Sequence, residues 1–271
     1  MKLWIWPLTC FFALIVAACG SDGGGGGGSA DTDTDTDSDS DSDTDTDSDG
    51  PVTVEVEVPA EIYWVNSGLY VREGEEITIT ANGSWTIWEG TVDEYGPDGL
   101  SYDVYGCMHG ELVAMVGLHW NDEQICVGAD AIFAAPRDGI LYLAANDGGR
   151  EDNAGTVTVE ITSESDLTPT IQAGEIADFD YGSVSADMIE LAGDNIILTL
   201  STSNVAGRPD DAEAALDAFE AWYELHEELA SAVPYNGQHV RYYPDPDIYD
   251  IGAWGLSGNP IRIMQEEGFL D

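Results

Sequence analysis

Four histidines, His109, His119, His226 and His239, are the first candidates for chemistry in this sequence, because imidazole serves both as a general base and as a metal ligand. Zinc-assisted hydrolysis uses two of them one helical turn apart with a glutamate between, the His-Glu-x-x-His arrangement. His226-Glu227 begins that pattern, but position 230 is alanine, so the sequence offers no second ligand and no zinc site. It also has no nucleophile triad, phosphate-binding loop or zinc-type cysteine set, hence no catalytic motif. Oxygen ligands are better represented. Asp147 and Asp152, with Asn153 beside them, stand at the two ends of a short connection between the apolar runs Ile140 to Ala145 and Thr156 to Ile161. Carboxylates crowded in this way repel one another unless a cation intervenes. Trp85 and Trp88, far upstream in the sequence, could stack on a sugar face; the alternative for each is core packing.

The chain that must position these groups has 271 residues, enough for one or two compact domains, with a formal net charge of -46 from 53 acids against 7 bases. Such a balance repels a phosphate backbone and excludes a nucleic-acid partner. Setting aside Asp22 and the ten aspartates of the repeat Asp31 to Asp49, and discounting Lys2, leaves 42 acids and 6 arginines beyond residue 50. The acidity therefore belongs to the folded part as well.

The first residues carry one cation, Lys2, and then an apolar run from Leu3 to Ala18, too short for a comfortable membrane span. Val16-Ala17-Ala18-Cys19 resembles the lipobox of bacterial lipoproteins. That resemblance implies a signal peptide over 1–18, lipid on Cys19, and a protein held by a lipid bilayer at the outer membrane or cell surface. Residues 19–50 form a Gly-rich and Asp/Thr/Ser-rich linker with too few apolar residues to start a core, expected to be disordered. Its 30 or so residues could reach on the order of 100 Å at about 3.3 Å each. With Cys10 in the signal and Cys19 lipidated, Cys107 and Cys126 remain as a pair, which should join as a disulfide in an oxidising exterior.

Past Pro51 the hydropathy takes period two. Val52, Val54, Val56 and Val58 alternate with Thr53, Glu55 and Glu57, and short apolar runs recur at Ile77 and Ile79, Leu112 to Val116, Ile140 to Ala144, and Val157, Val159 and Ile161. Several short strands between turn residues predict an antiparallel β-sandwich over 51–163. Within it, Ala81-x-Gly83-x-Trp85, Gly96-Pro97-Asp98-Gly99, Gly110-x-Leu112 with Gly117, Leu141-Tyr142-Leu143-x-x-Asn146-Asp147, and Asn153-Ala154-Gly155 resemble the PA-I-type galactophilic lectins over about residues 60–162. The resemblance implies a lectin-like, galactose-binding-type sandwich in which calcium bridges protein and sugar. Carried over by position, Asp147, Asp152 and Asn153 would hold the calcium, with Trp88 near the sugar. The loop Gly148 to Glu151 and the segment Leu100 to Met108 are shorter than the family's, and the latter lacks the family's sugar-holding histidine and glutamine.

Residues 164–271 read as a small α+β segment: strands ending in Asn195 to Leu200, then one long helix that Asp210 and Asp211 can cap, with Leu216, Phe219, Tyr223, Leu229 and Val233 on one broad apolar face. Ile189-Glu190-Leu191-x-Gly193-Asp194-Asn195-Ile196, Trp222, and Trp254-Gly255-Leu256-Ser257-Gly258-Asn259-Pro260-Ile261 resemble, over about 175–265, the opening of the enhancin-like, mucin-degrading metallopeptidases. That family's catalytic zinc half is not in this chain. The reading is a mainly β, membrane-anchored lipoprotein that binds glycans or glycoproteins. The alternatives are the N-terminal portion of an active mucin-type zinc metallopeptidase and a structural surface stalk.

Overall fold

The period-two pattern of residues 52–58 becomes the first strand of the protein. The computed structural model describes residues 50–88, 94–251 and 255–264; the signal peptide, Cys19, the linker up to Asp49, and Trp254 lie outside them. The described residues belong to one compact unit, Ser48–Asp271. Its strands run β1 (Val52–Pro59), β2 (Val65–Val71), β3 (Glu76–Thr86), β4 (Asp103–Val104), β5 (Cys107–Met108), β6 (Leu112–Val116), β7 (Ile125–Cys126), β8 (Asp130–Ala134), β9 (Gly139–Ala145), β10 (Ala154–Ser163) and β11 (Asp166–Leu167).

These make the expected antiparallel sandwich, a four-stranded sheet in the order β1-β10-β3-β8 against a five-stranded sheet in the order β11-β2-β9-β6-β7. The strand β11 comes from beyond Ser163 and pairs with β2. Ile77, Ile79, Trp85, Leu112, Leu141, Leu143, Val157 and Val159 fill the space between the sheets. In β3 and β10 buried residues alternate with more exposed ones for much of each strand, and in β1 partly buried valines alternate with exposed residues, as a sheet with one wet face requires. The strands β6 and β9 are buried at every position. Their second face, with Val113, Met115, Ile140 and Tyr142, packs against Ala186 and Tyr243 of the following segment.

That segment is a mixed six-stranded sheet, β12 (Thr170–Gln172), β13 (Met188–Ala192), β14 (Ile196–Ser201), β15 (Val240–Pro244), β16 (Gly255–Leu256) and β17 (Ile261–Ile263), in the order β12-β13-β14-β15-β17-β16. Between β14 and β15 come the short helix α1 (Thr202–Gly207) and the long helix α2 (Pro209–Ala230). Leu216 and Tyr223 of α2 are buried against the strands, as the sequence predicted, and Phe219 is half-buried. Two details differ. Arg208 occupies the N-cap position and Pro209 opens the helix, so Asp210 and Asp211 sit inside the first turn. There they face the positive end of the helix dipole without capping a backbone N–H through their side chains. Leu229 and Val233 are exposed rather than buried. The 22 residues of α2 rise about 33 Å, whereas the six of β14 span about 20 Å, so the helix outruns the sheet.

A carboxylate locks the helix to the hairpin beneath it. Glu220 accepts from the backbone N–H of Asn195 at 2.8 Å and of Ile196 at 2.9 Å. A Cβ on Gly193 would lie 2.2 Å from its Oε1, so a larger residue there would displace the carboxylate. No described helix is long and apolar enough to cross a membrane.

Candidate functional site

The site grows from a knot around Asn146, at the end of β9. Its side chain is fully buried, donating from Nδ2 to the carbonyls of Val104 (2.7 Å), Cys107 (3.1 Å) and Met108 (3.0 Å) and accepting from Gln124 Nε2 at 2.9 Å. One amide thus ties the β4–β5 hairpin to the loop after β9. The expected Cys107–Cys126 disulfide is present, with Cα atoms 5.5 Å apart, and fastens the same hairpin to β7. The hairpin's two-residue turn, Tyr105-Gly106, has φ of 56° and 90°, the mirror-image turn that suits strand twist. It presents the Tyr105 ring to solvent, 72% exposed. The Tyr105 hydroxyl lies over Gly148, where a Cβ would come within 2.6 Å.

This knot brings His109 onto Asp147. His109 Nε2 lies 3.2 Å from Asp147 Oδ1, and on its other side Nδ1 accepts a short hydrogen bond from the Tyr102 hydroxyl, in the tautomer that donates from Nε2. Trp88 stands edge-on to the His109 ring at 5.3 Å and to Tyr95 at 6.1 Å. Trp88 is 39% exposed and Tyr102 46%, so aromatic surface lies beside a carboxylate–imidazole pair whose own side chains are largely buried. Trp85, by contrast, is buried core, its Nε1 donating to Gly110 O at 2.8 Å. The shortened segment Leu100 to Met108 lacks a histidine, and His109, the next residue, brings one to the site.

The expected ligand residues occupy one loop in different settings. Asp147 is half-buried; besides His109, its Oδ1 accepts from Gly149 N at 3.3 Å. Asp152 is exposed, in a short 3-10 turn. Asn153 is buried; its Nδ2 donates to Ala60 O at 3.2 Å, while its Oδ1 has no hydrogen-bond partner in the protein. An amide oxygen and two carboxylates are hard donors of the kind Ca²⁺ takes, although Asp147 Oδ1 is already engaged by His109 and Gly149 and Asp152 faces solvent. Behind the loop, Arg150 is buried between Tyr63 and Trp64, donating to the carbonyls of Ile62, Tyr63 and Asp147. Burial pulls its guanidinium down to about 10, so it remains a cation at neutral pH. The Asp147 carbonyl is therefore engaged inside the protein.

A second polar cluster, given no role by the sequence, lies where the sandwich meets the mixed sheet. His119 Nδ1 is 3.1 Å from Asp245 Oδ1 and 3.6 Å from Asp247 Oδ2. Asp245, fully buried, also accepts from Trp120 N at 2.7 Å. These three side chains have ligand-type geometry. Arg137, 2.9 Å from Asp122 and 3.6 Å from Asp247, and Arg262, 3.9 Å from Asp245, already balance the carboxylates. The cluster reads as an ion-pair network joining the two sheets. His226 and His239 are exposed and belong to neither site.

No protein-family model matches the chain, and no curated protein does. Among solved structures it is similar to one described as "EclA N-terminal domain; PllA-like lectin", with 25% identity and a TM-score of 0.34 over 41% of this chain and 95% of that one. A functionally unknown conserved protein from Bacillus anthracis str. Ames is 13% identical with a TM-score of 0.50, over 81% of this chain and 45% of its own. The Pseudomonas aeruginosa protein IMPa, solved in complex with an O-glycopeptide, is 15% identical with a TM-score of 0.46, over 80% of this chain and 28% of its own. The chain thus spans less than half the length of the last two. The Bacillus likeness extends the fold across both the sandwich and the mixed sheet.

Proposed function

We propose that this protein is a lipid-anchored, surface-directed lipoprotein that binds glycans or glycoproteins on the face formed by Trp88, Tyr102, His109 and Asp147. The observation that carries the reading is the Tyr102–His109–Asp147 chain beside an exposed tryptophan. An indole face takes the C–H side of a pyranose ring, while a carboxylate and a phenol held by one imidazole offer hydroxyl partners in fixed directions. Calorimetric titration with neutral mucin-type oligosaccharides tests it. Trp88→Ala and Asp147→Asn should each weaken binding about tenfold or more, and unchanged affinity in both variants would remove this face from recognition.

The same reading places Ca²⁺ on Asp147, Asp152 and Asn153, supported by the orphaned Asn153 Oδ1. The ion would supply a hard, positive contact for sugar hydroxyls. Millimolar calcium should raise the melting temperature of the wild type by mass action, and Asp147→Ala should abolish the rise. An equal rise in that variant would count against the site. The anchor is proposed on the lipobox alone: mature protein should enter the detergent phase with acyl mass on Cys19, and Cys19→Ser should not. The Ser257 to Ile261 turn supports a second reading, the N-terminal portion of a longer zinc metallopeptidase. There Asn259 Oδ1 accepts from Arg241 N at 3.0 Å. Genomic sequence beyond Asp271 with an in-frame His-Glu-x-x-His would favour it.

A further inference from the structure

The far half of α2 and the turn after it carry an apolar stripe that is exposed among the described residues. Trp222, Leu225 and Leu229 follow one another on the helix at intervals of three and four residues and are 51, 50 and 73% exposed; Val233, 49% exposed, lies past the helix end, beyond the left-handed Ser231. Trp222 is steadied from below by Phe219, 5.4 Å away, which in turn packs on Tyr242. Beside the stripe runs a groove lined by Glu224, Glu227, Glu228, Ser231, Ala232 and Val233. Apolar side chains concentrated on one face and rimmed by a single charge mark an interaction surface rather than scattered exposure.

The charge states what chemistry fits. The helix carries eight acids and no lysine or arginine within its 22 residues. Glu227 and Glu228 fall in its last turn, where the backbone carbonyls already make the end negative, so they destabilise the free helix and are relieved by an external cation. A second copy of this chain is a poor source of that cation. Of the six arginines beyond residue 50, Arg72 is paired with Asp166 and Asp187, Arg137 with Asp122, Arg241 with Glu190 and Arg262 with Asp245; Arg150 is buried, and Arg208 is itself engaged. Two copies would also oppose helix faces of like charge.

We infer that this face of α2 docks a segment of another protein that is apolar along one side and bears lysine or arginine along its rim, as an amphipathic basic helix does. The experiment titrates the protein into a fluorescein-labelled synthetic helix with leucines at positions i, i+3, i+4 and i+7 and lysines flanking them. A scrambled peptide of identical composition is the control, and the readout is anisotropy at 150 mM salt. The patterned peptide should bind at least tenfold tighter than the scrambled one. The exposed-position double variant Leu225→Ser/Leu229→Ser should lose that preference while keeping the wild-type melting temperature. Glu224→Gln/Glu228→Gln should weaken binding and flatten its salt dependence.

Equal binding of both peptides would mean bulk charge alone and would overturn the inference. So would a dimer in sedimentation that Leu225→Ser/Leu229→Ser dissolves, which makes the occupant a second copy. Binding to phosphatidylcholine vesicles that the same variant abolishes would make it a membrane and overturn the inference too.

Discussion

Tyr142, in the middle of the sandwich strand β9, donates its hydroxyl hydrogen bond across the junction to Glu190 Oε1 on β13 at 2.8 Å. Arg241 on β15 completes the contact. Its Nε donates to Glu190 at 2.8 Å, its Nη1 to Trp64 O at 2.8 Å, and its guanidinium lies 5.0 Å from the Tyr142 ring centroid. All three side chains are buried. Glu190→Ala leaves the Arg241 charge in the interior without its partner and should cost about 3–5 kcal/mol in urea unfolding. Replacing both, as Glu190→Gln/Arg241→Met, should cost less than either single change. Strict additivity of the two would show that the residues do not act as a pair.

The disulfide closes a loop with a sequence separation of 19. Cys107→Ser/Cys126→Ser should lower stability by about 3 kcal/mol. Because the same hairpin carries Tyr105 and leads into His109, the glycan binding proposed above should weaken in the reduced protein before it unfolds. A reduced protein that binds as well as the oxidised one would confine the bond to a role in stability.

Asn146 is the donor for three carbonyls at once, so Asn146→Asp replaces an amide with a carboxylate facing other oxygens. With the penalty for each unsatisfied buried group at about 1–3 kcal/mol, the loss should exceed 3 kcal/mol. For a unit of this size the fall in melting temperature should be at least about 6 °C. Calorimetry reads it directly; a fall of less than about 2 °C would show that the loop closes without the amide.

Asp122 supplies a pH test of the junction. Burial pushes its carboxyl above the usual value of 3.8, against the pull of Arg137 and His119 and with a smaller push from Asp247 and Asp245. An acid raised in this way binds its proton more tightly in the folded state. Its contribution to stability is complete below 3.8 and is lost as pH rises through the folded value. Asp122→Asn, neutral throughout, should therefore gain on the wild type between pH 4 and pH 7 in urea midpoints. A gap that narrows with rising pH would reverse the assignment.

The period-two strands β1, β3 and β10 were legible because one face of each meets water. The runs Leu112 to Val116 and Ile140 to Ala144 were legible as strands as well. Their unbroken apolar character was also the sign of a sheet covered on both faces, which only the second segment's position makes explicit. The strand β2 escaped because an irregularity between Asn66 and Tyr70 spoils its alternation. The helix was clear but its exposed end was not, since periodicity carries no information on how long the opposing strands are. At the site, Asp147, Asn153 and Trp88 were picked out by type and resemblance. The partner His109, 38 residues from Asp147, was not, because the contact is made by the Asn146 knot and the disulfide, which no local spacing reports.

The register of β1 on β10 has a mechanical consequence. Val52, where the chain enters the sandwich, pairs with Ser163, and Pro59, at the other end of β1, pairs with Thr156, just past the Asp147 to Asn153 loop. The entry point and the Asp147 to Asn153 loop thus sit at opposite ends of the same ladder. A pull applied at Val52 and resisted at that loop runs parallel to the strands and loads the eight paired positions in shear, so that they share the force and yield together. A sandwich entered from the loop end would instead be peeled open one pair at a time.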